Sequence, residues 1–405
     1  MDLLLKKSVC NLNSEIAITG SKSETNRLLV LQALYPNLKL ENTSNSDDSI
    51  VMISALSTNQ NLIDIHHAGT AMRFLTAYFA TQNDRVVTLT GSSRMKERPI
   101  KILVDALKQL GASIEYLENE GFPPIKISGK KIILNKVSLN ANVSSQYISA
   151  LLLIAPKLEN GLELVLEGEI TSMSYIKMTL SLLNQLEFET SFVGNKITVF
   201  PKSAIENKMI TVESDWSSAS YFYSIVALSK IGTEIKLTSY KQYSLQGDSV
   251  LSKIYKQFGV ETVFENNLIT LKKVESHSFL PISIDLNNSP DIAQTIAVTC
   301  FGLGIGCHLT GLHTLKIKET DRLEALQIEL TKLGATLKIT NSSLTLEKSE
   351  TINSNVTIST YQDHRMAMAF APLALVTQLN IENLEVVSKS FPTFWQELKT
   401  IGISS

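Results

Sequence analysis

Residues 21–34, SKSETNRLLVLQAL, pass from a small, polar loop straight into an apolar run, and the same change of character recurs along the chain. It returns as HAGTAMRFLTAYFA (67–80), NVSSQYISALLLIA (142–155), DWSSASYFYSIVAL (215–228), SPDIAQTIAVTC (289–300) and QDHRMAMAFAPLAL (362–375). Measured from Lys22, Ala68, Val143, Trp216, Pro290 and Gln362, the steps are 46, 75, 73, 74 and 72 residues. A fixed period of this kind marks an array of like structural units. Each copy reads as an apolar helix entered from a polar loop.

A second series keeps step with the first. ILVDALKQLGASIEY (102–116) and LEALQIELTKLGATLKI (323–339) are amphipathic helices that stop at Leu-Gly-Ala and continue as strands. Glycine is expected just past a helix end because it takes the left-handed conformation without steric cost. VLSKIYKQFGVETVF (250–264), MTLSLLNQLEFETSF (178–192) and FWQELKTIGI (394–403) are weaker copies. Their turn residues Gly111, Glu187, Gly259, Gly334 and Gly402 lie 76, 72, 75 and 68 apart. Alternating β-branched runs such as LELVLEG, EIKLTSY and SLTLEKS fill the gaps as strands. The expected α/β fold has six units, each roughly strand, helix, strand, helix, strand, strand. A boundary near Thr211 to Asp215 leaves three units on either side, while SEIAITG (14–20) fits either half.

A chain of 405 residues with 44% hydrophobic and 7% aromatic content exceeds one ordinary core, so two compact domains are expected. Lys plus Arg, 37, nearly cancel Asp plus Glu, 39, leaving a formal charge of −2 and no global field to recruit nucleic acid or an anionic membrane. Any anion site must be local. The start, MDLLLKKSVC, lacks a signal-peptide core, and apolar stretches such as ISALLLIA (148–155) fall far short of the ~20 residues that span a bilayer, so the expected address is the cytoplasm. Cys10, Cys300 and Cys307 have no C-x-x-C spacing and read as core thiols, not as a disulfide framework or a zinc site.

The polar residues that open the helices carry the chemistry. Arg98 in MKERPI, Tyr175 in TSMSYIK, Asp248 in LQGDS, Arg322 in KETDR and Lys389 in VSKSFP precede the second helices. The first helices open with Lys22, Ser23 and Arg27, with Gly69 and Thr70, with Ser144, Ser145 and Gln146, with Asp291, and with His364 and Arg365. Unpaired backbone N–H groups and the positive end of the helix dipole favour anions there. Capping explains Ser and Asp at these places but not Lys and Arg, which the dipole disfavours. A bound anion is expected to supply the missing charge. Lys22, Arg27, Arg98, Lys318, Arg322, Arg365 and Lys389 are enough cations for two phosphates and two carboxylates.

Local look-alikes fail. GSKS (20–23) lacks the upstream Gly and the Gly-Lys adjacency of a P-loop, and GLGIG (302–306) follows a helix instead of opening one. His66 and His67 have no third ligand at zincin spacing, and no G-x-S-x-G accompanies His364.

GSKSETNR (20–27), AGTAMR (68–73), ERPI (97–100), SSQY (144–147), SPDIAQ (289–294), KETDR (318–322) and DHRMAM (363–368) strongly resemble, in order, the motifs of the 5-enolpyruvylshikimate-3-phosphate synthase family. The related UDP-N-acetylglucosamine enolpyruvyl transferases begin with a Lys-Asn pair and carry a catalytic-loop cysteine; here Ser23 follows Lys22 and no cysteine lies between 11 and 299. The resemblance implies a two-domain inside-out α/β barrel of six βαβαββ units, with residues 1–19 and 214–405 in one domain, 20–213 in the other and the active site in the cleft between them. It implies transfer of the enolpyruvyl group of phosphoenolpyruvate to the 5-hydroxyl of shikimate 3-phosphate, with release of phosphate. No metal or organic cofactor is implied, and a monomer is expected.

By the same resemblance, Lys22, Ser23, Arg27, Ser144, Ser145, Gln146, Ser172, Tyr175, Asp291 and Lys318 look like shikimate 3-phosphate ligands. Lys22, Gly69, Arg98, Gln146, Arg322, Arg365 and Lys389 look like phosphoenolpyruvate ligands. Asp291 is the expected base on the hydroxyl, and Glu319 and Lys22 are candidates for proton transfer at C3. The chain departs from the family pattern at His67, where Asn is usual, at Phe74, where Pro is usual, and at Thr314, where an expected Asn contact is missing.

Overall fold

The computed structural model describes residues 1–140, 144–168, 170, 173–276 and 280–404. Contacts divide the chain into two compact units: Ser21–Val212, and a discontinuous unit of Met1–Gly20 with Glu213–Ser405. Both hold mixed sheets, and none of the six sheets closes on itself among the described residues. No described helix is long and apolar enough to cross a membrane.

In the unit Ser21–Val212 the helices are α1 (Lys22–Leu34), α2 (Asp47–Ser57), α3 (Gly69–Ala80), α4 (Ser93–Lys96), α5 (Lys101–Gln109), α6 (Ser145–Ile154) and α7 (Met173–Gln185). Helices α1, α3 and α6 pack on one another. Every residue of α3 except Thr70 is buried, as expected of a helix apolar on all sides. By contrast, α5 buries only the stripe Leu103, Val104, Ala106 and Leu107.

Two sheets of this unit repeat one pattern. In the first, Leu62–Asp64 pairs in parallel with Val86–Thr90, which pairs antiparallel with Ile125–Ser128, with Ser113–Tyr116 at the edge. Lys136–Asn140, Leu162–Glu167, Lys196–Val199 and Thr190–Val193 repeat that order. The third sheet is only the parallel pair Lys208–Thr211 and Leu38–Glu41.

The discontinuous unit holds α8 (Trp216–Leu228), α9 (Leu251–Ile254), α10 (Ala293–Gly302), α11 (Arg322–Lys332), α12 (His364–Phe370) and α13 (Phe394–Thr400). Here α10 packs against α8 and α12. Hydroxyl pairs bridge the buried faces of α8 and α10, Ser220 to Thr295 at 3.0 Å and Thr299 to Ser224 at 2.8 Å, so these polar groups enter the core satisfied. One four-stranded sheet runs Ile282–Asp285, Cys307–Thr310, Leu344–Leu346, Leu337–Ile339. A second takes its first strand, Asn13–Ile16, from the N-terminal segment, which lies parallel to Glu234–Thr238. The third, Val356–Ile358 and Leu379–Ile381, is closed by Leu3–Leu5 in antiparallel register, Leu3 opposite Ile381.

Four of the six units therefore have the expected strand and helix order, and two do not. The unit of α1 and α2 has no terminal hairpin, which accounts for its step of 46 residues. The last unit has one N-terminal strand in place of a hairpin. Both exceptions follow from the chain leaving one unit to build the other: Gly20 and Ser214, at the two crossings, form an antiparallel bridge.

Leu5 is 2% exposed and Leu4 44%, so the N-terminal strand presents one face to the core. Leu5→Asp is expected to cost about 3 kcal/mol in urea unfolding and Leu4→Asp under about 0.5 kcal/mol. Equal costs would show that this strand does not seal the sheet.

Candidate active site

In the unit Ser21–Val212, α3 opens on Gly69 because the Arg98 guanidinium occupies the space beside it. A Cβ at Gly69 would run into the Arg98 guanidinium. Arg73, one turn along, donates from Nη1 to the Gly69 carbonyl at 3.1 Å and from Nη2 to the Pro99 carbonyl at 2.8 Å. Gln146 Nε2 donates to Thr70 Oγ1 at 3.2 Å, bringing the start of α6 to the start of α3. Ser144 caps α6, accepting from the Gln146 N–H at 3.4 Å, and Ser145 beside it is buried.

A second group surrounds Arg27. Its Nε donates to Thr179 Oγ1 at 2.8 Å, Nη1 to the Ser23 carbonyl at 2.8 Å and Nη2 to Ser149 Oγ at 3.0 Å. The Phe74 and Tyr175 rings lie 5.5 and 5.7 Å from the guanidinium carbon. Among the described residues, every hydrogen bond of Arg27 and Arg73 goes to a neutral acceptor. Burial pulls both guanidinium pKa values down to about 10, Arg98 adding to the effect at Arg73. Lys22, the first residue of α1, lies 3.9 Å from Asp48 Oδ2. Ser172 lies outside the described residues.

The discontinuous unit has the opposite character. Asp291, in the turn before α10, accepts from Arg322 Nη1 at 2.8 Å, with Lys318 Nζ 3.5 Å from the same oxygen and Arg365 Nη2 3.5 Å from the other. Arg322 also donates to Glu319 Oε2 at 2.8 Å and Asp363 Oδ2 at 2.6 Å. Arg365 donates to the Asp291 carbonyl at 3.2 Å and Ser217 Oγ at 3.3 Å, and Ser217 Oγ makes a short bond to Asp248. Burial alone would raise the Asp291 carboxyl, but Arg365, Lys318 and Arg322 outweigh it and hold it well below the usual range. At Asp248, burial and then the charge of Asp291 prevail, and the carboxyl is pushed up to about 7. Lys389 Nζ donates to the Gln362 carbonyl at 2.7 Å.

These positions correct two expectations. Lys318 and Lys389 close 3-10 turns instead of opening helices, and Arg27 lies in the second turn of α1. At Arg322 the countercharge comes from Asp291, Glu319 and Asp363, so no outside anion is required to place a cation at that helix start. Asp363, Ser217, Ser149 and Thr179 were not singled out by sequence reasoning. Only Asp363, the N-cap of α12, left a local signal, being an Asp directly before a helix. Of the departures from the family pattern, Phe74 faces Arg27, His67 Nε2 lies 4.0 Å from Asp47, and the buried Thr314 Oγ1 has no hydrogen-bond partner among the described residues.

Opposite pKa shifts predict opposite pH signatures. The folded Asp291 carboxyl lies below its unfolded value. Its stabilisation is complete above about pH 4 and is lost as the pH falls, so the stability gap between parent and Asp291→Asn, about 3 kcal/mol at pH 7, should narrow below pH 4. The folded Asp248 carboxyl lies above its unfolded value, so the parent should lose stability relative to Asp248→Asn as pH rises from about 4 to 7. Urea melts of the three proteins across pH 3–8 check both signs.

The chain matches the EPSP synthase (3-phosphoshikimate 1-carboxyvinyltransferase) family over residues 37–398. It is 45% identical over 395 residues to a 3-phosphoshikimate 1-carboxyvinyltransferase of Bacteroides fragilis (strain YCH46), covering 96% of each chain. To that of Histophilus somni (strain 2336) it is 34% identical over 445 aligned positions, covering 99% of each. The solved EPSP synthase of Acinetobacter baumannii superimposes with a TM-score of 0.83 over 100% of this chain and 98% of that one; at 20% identity, this likeness speaks for the fold. With its motifs and folding pattern in agreement, the chain belongs to the EPSP synthase family.

Proposed function

We propose that this chain carries out its family's reaction, enolpyruvyl transfer from phosphoenolpyruvate to shikimate 3-phosphate, with ligands drawn from both units. In this reading the domains are 1–19 with 214–405 and 20–213, each an inside-out barrel of buried helices with sheets around them. The enzyme works as a cytoplasmic monomer. Shikimate 3-phosphate is held by Lys22, Ser23, Arg27, Ser144, Ser145, Gln146, Ser172, Tyr175, Asp291 and Lys318. Phosphoenolpyruvate is held by Lys22, Gly69, Arg98, Gln146, Arg322, Arg365 and Lys389. Guanidinium forks suit carboxylate and phosphate, and hydroxyls ring a phosphate.

The observation that carries the mechanism is the crowding of Arg322, Lys318 and Arg365 around Asp291. A carboxylate held below its usual range is a poor base. The cations that depress it are those assigned to substrate anions, so bound phosphate and carboxylate groups relieve the depression and raise its basicity. Asp291 then takes the proton of the 5-hydroxyl as oxygen adds to C2. Glu319, which shares Arg322, and Lys22 exchange the proton at C3, and phosphate leaves the tetrahedral intermediate. The cations stabilise charge and position the reactants.

Phosphate release is expected only when shikimate 3-phosphate and phosphoenolpyruvate are both present; release with UDP-N-acetylglucosamine as acceptor would overturn the reading. Asp291→Asn should lower kcat about 10²- to 10⁴-fold while the dissociation constant for shikimate 3-phosphate moves less than about tenfold. Near-normal turnover in that variant would remove Asp291 as the base.

A further inference from the structure

The loop that carries Arg98 is held at one atom from two sides. Glu97 to Ile100 connect α4 to α5, and the Pro99 carbonyl in their middle accepts from Arg73 Nη2 at 2.8 Å and from the Tyr147 hydroxyl at 2.7 Å. Arg73 belongs to α3 and Tyr147 to α6, so two of the packed central helices grip one backbone oxygen. Both side chains are buried, Arg73 at 3% and Tyr147 at 5% exposure, so packing fixes the two donors while Pro99 itself lies at the surface. Arg73 also ties the Gly69 carbonyl into the same arrangement.

We propose that Tyr147 is a positioning residue for the phosphoenolpyruvate site, its hydroxyl fixing Arg98 over Gly69 through the Pro99 carbonyl. This rests on Arg98 being a phosphoenolpyruvate ligand. The need for a clamp is electrostatic. Arg98 sits against a glycine with the Arg73 guanidinium nearby, and its charge disfavours the charge of Arg73. The two like charges repel, and among the described residues Arg73 forms no ion pair that would offset this. Left to side-chain forces, Arg98 would swing away. The backbone of the adjacent residue holds it in place, and Tyr147 does so without adding charge. The neighbouring Gln146 meets Thr70 on α3, so consecutive residues of α6 serve the site in two ways, one touching substrate and one acting through Arg98.

The test is steady-state kinetics on Tyr147→Phe, Arg98→Ala and the double variant, with a thermal melt of each. Tyr147→Phe keeps the ring and removes only the hydroxyl. It is expected to raise KM for phosphoenolpyruvate about 3- to 10-fold, leave KM for shikimate 3-phosphate within about twofold, and barely move the melting temperature. In the Arg98→Ala background the same change should have no further effect on either KM, because the group it positions is gone. Equal rises in both KM values, or an effect of Tyr147→Phe that persists in full without Arg98, would make the hydroxyl merely structural and overturn the proposal. An unchanged KM for phosphoenolpyruvate in Tyr147→Phe overturns it too. If Arg98→Ala itself leaves that KM unchanged, the assignment of Arg98 fails instead, and the two failures are told apart.

Discussion

The charge balance around Asp291 organises the discontinuous unit. Its carboxylate meets Arg322, Lys318 and Arg365, while Arg322 also meets Glu319 and Asp363. These residues come from the turn before α10 and from the starts of α11 and α12, and Ser217 adds the start of α8. Removing one partner from such a buried network leaves an uncompensated charge, so the network fixes the positions of these segments together. Three cations here oppose three carboxylates. At Asp248, a fourth carboxyl beside them, burial and the charge of Asp291 outweigh the pull of Arg365, and its pKa rises to about 7. In the proposed mechanism an arriving anion would shift this balance, which would link the packing of the unit to the basicity of Asp291.

The unit Ser21–Val212 holds its cations differently. Arg27 and Arg73 are buried and, among the described residues, donate only to neutral acceptors, and burial lowers the pKa of both. Here hydroxyls, carbonyls and aromatic faces hold the guanidinium groups. One unit thus buries guanidinium groups among uncharged hydrogen-bond acceptors, and the other holds cations and carboxylates in one network.

The repeat could be read from the chain because all six units open with a polar entry to an apolar helix, and four of them also place a glycine beyond an amphipathic helix. The anomalous first step was also visible, and its cause is the hairpin missing after α2. What could not be read was the origin of strands that close sheets from far away: nothing local in LLL at 3–5 names Leu379–Ile381 as its partner. The same limit applies to the site. Lys22, Arg322 and Arg365 were legible as cations misplaced against a dipole, but two of the three countercharges of Arg322 were not, because Asp363 and Asp291 lie 41 and 31 residues away. Tyr147 was legible only as part of a motif, since its partner carbonyl is 48 residues away and backbone oxygens carry no sequence signature.

The proposed mechanism requires that substrate anions release Asp291 from its cations. A carbon-13 NMR titration of aspartate-labelled protein, with the Asp291 resonance identified by its loss in Asp291→Asn, measures this directly. Without ligands the carboxyl should titrate below the ordinary aspartate range, and with shikimate 3-phosphate and an unreactive phosphoenolpyruvate analogue bound it should move up. A carboxyl that stays where it was, or moves further down, would contradict the mechanism.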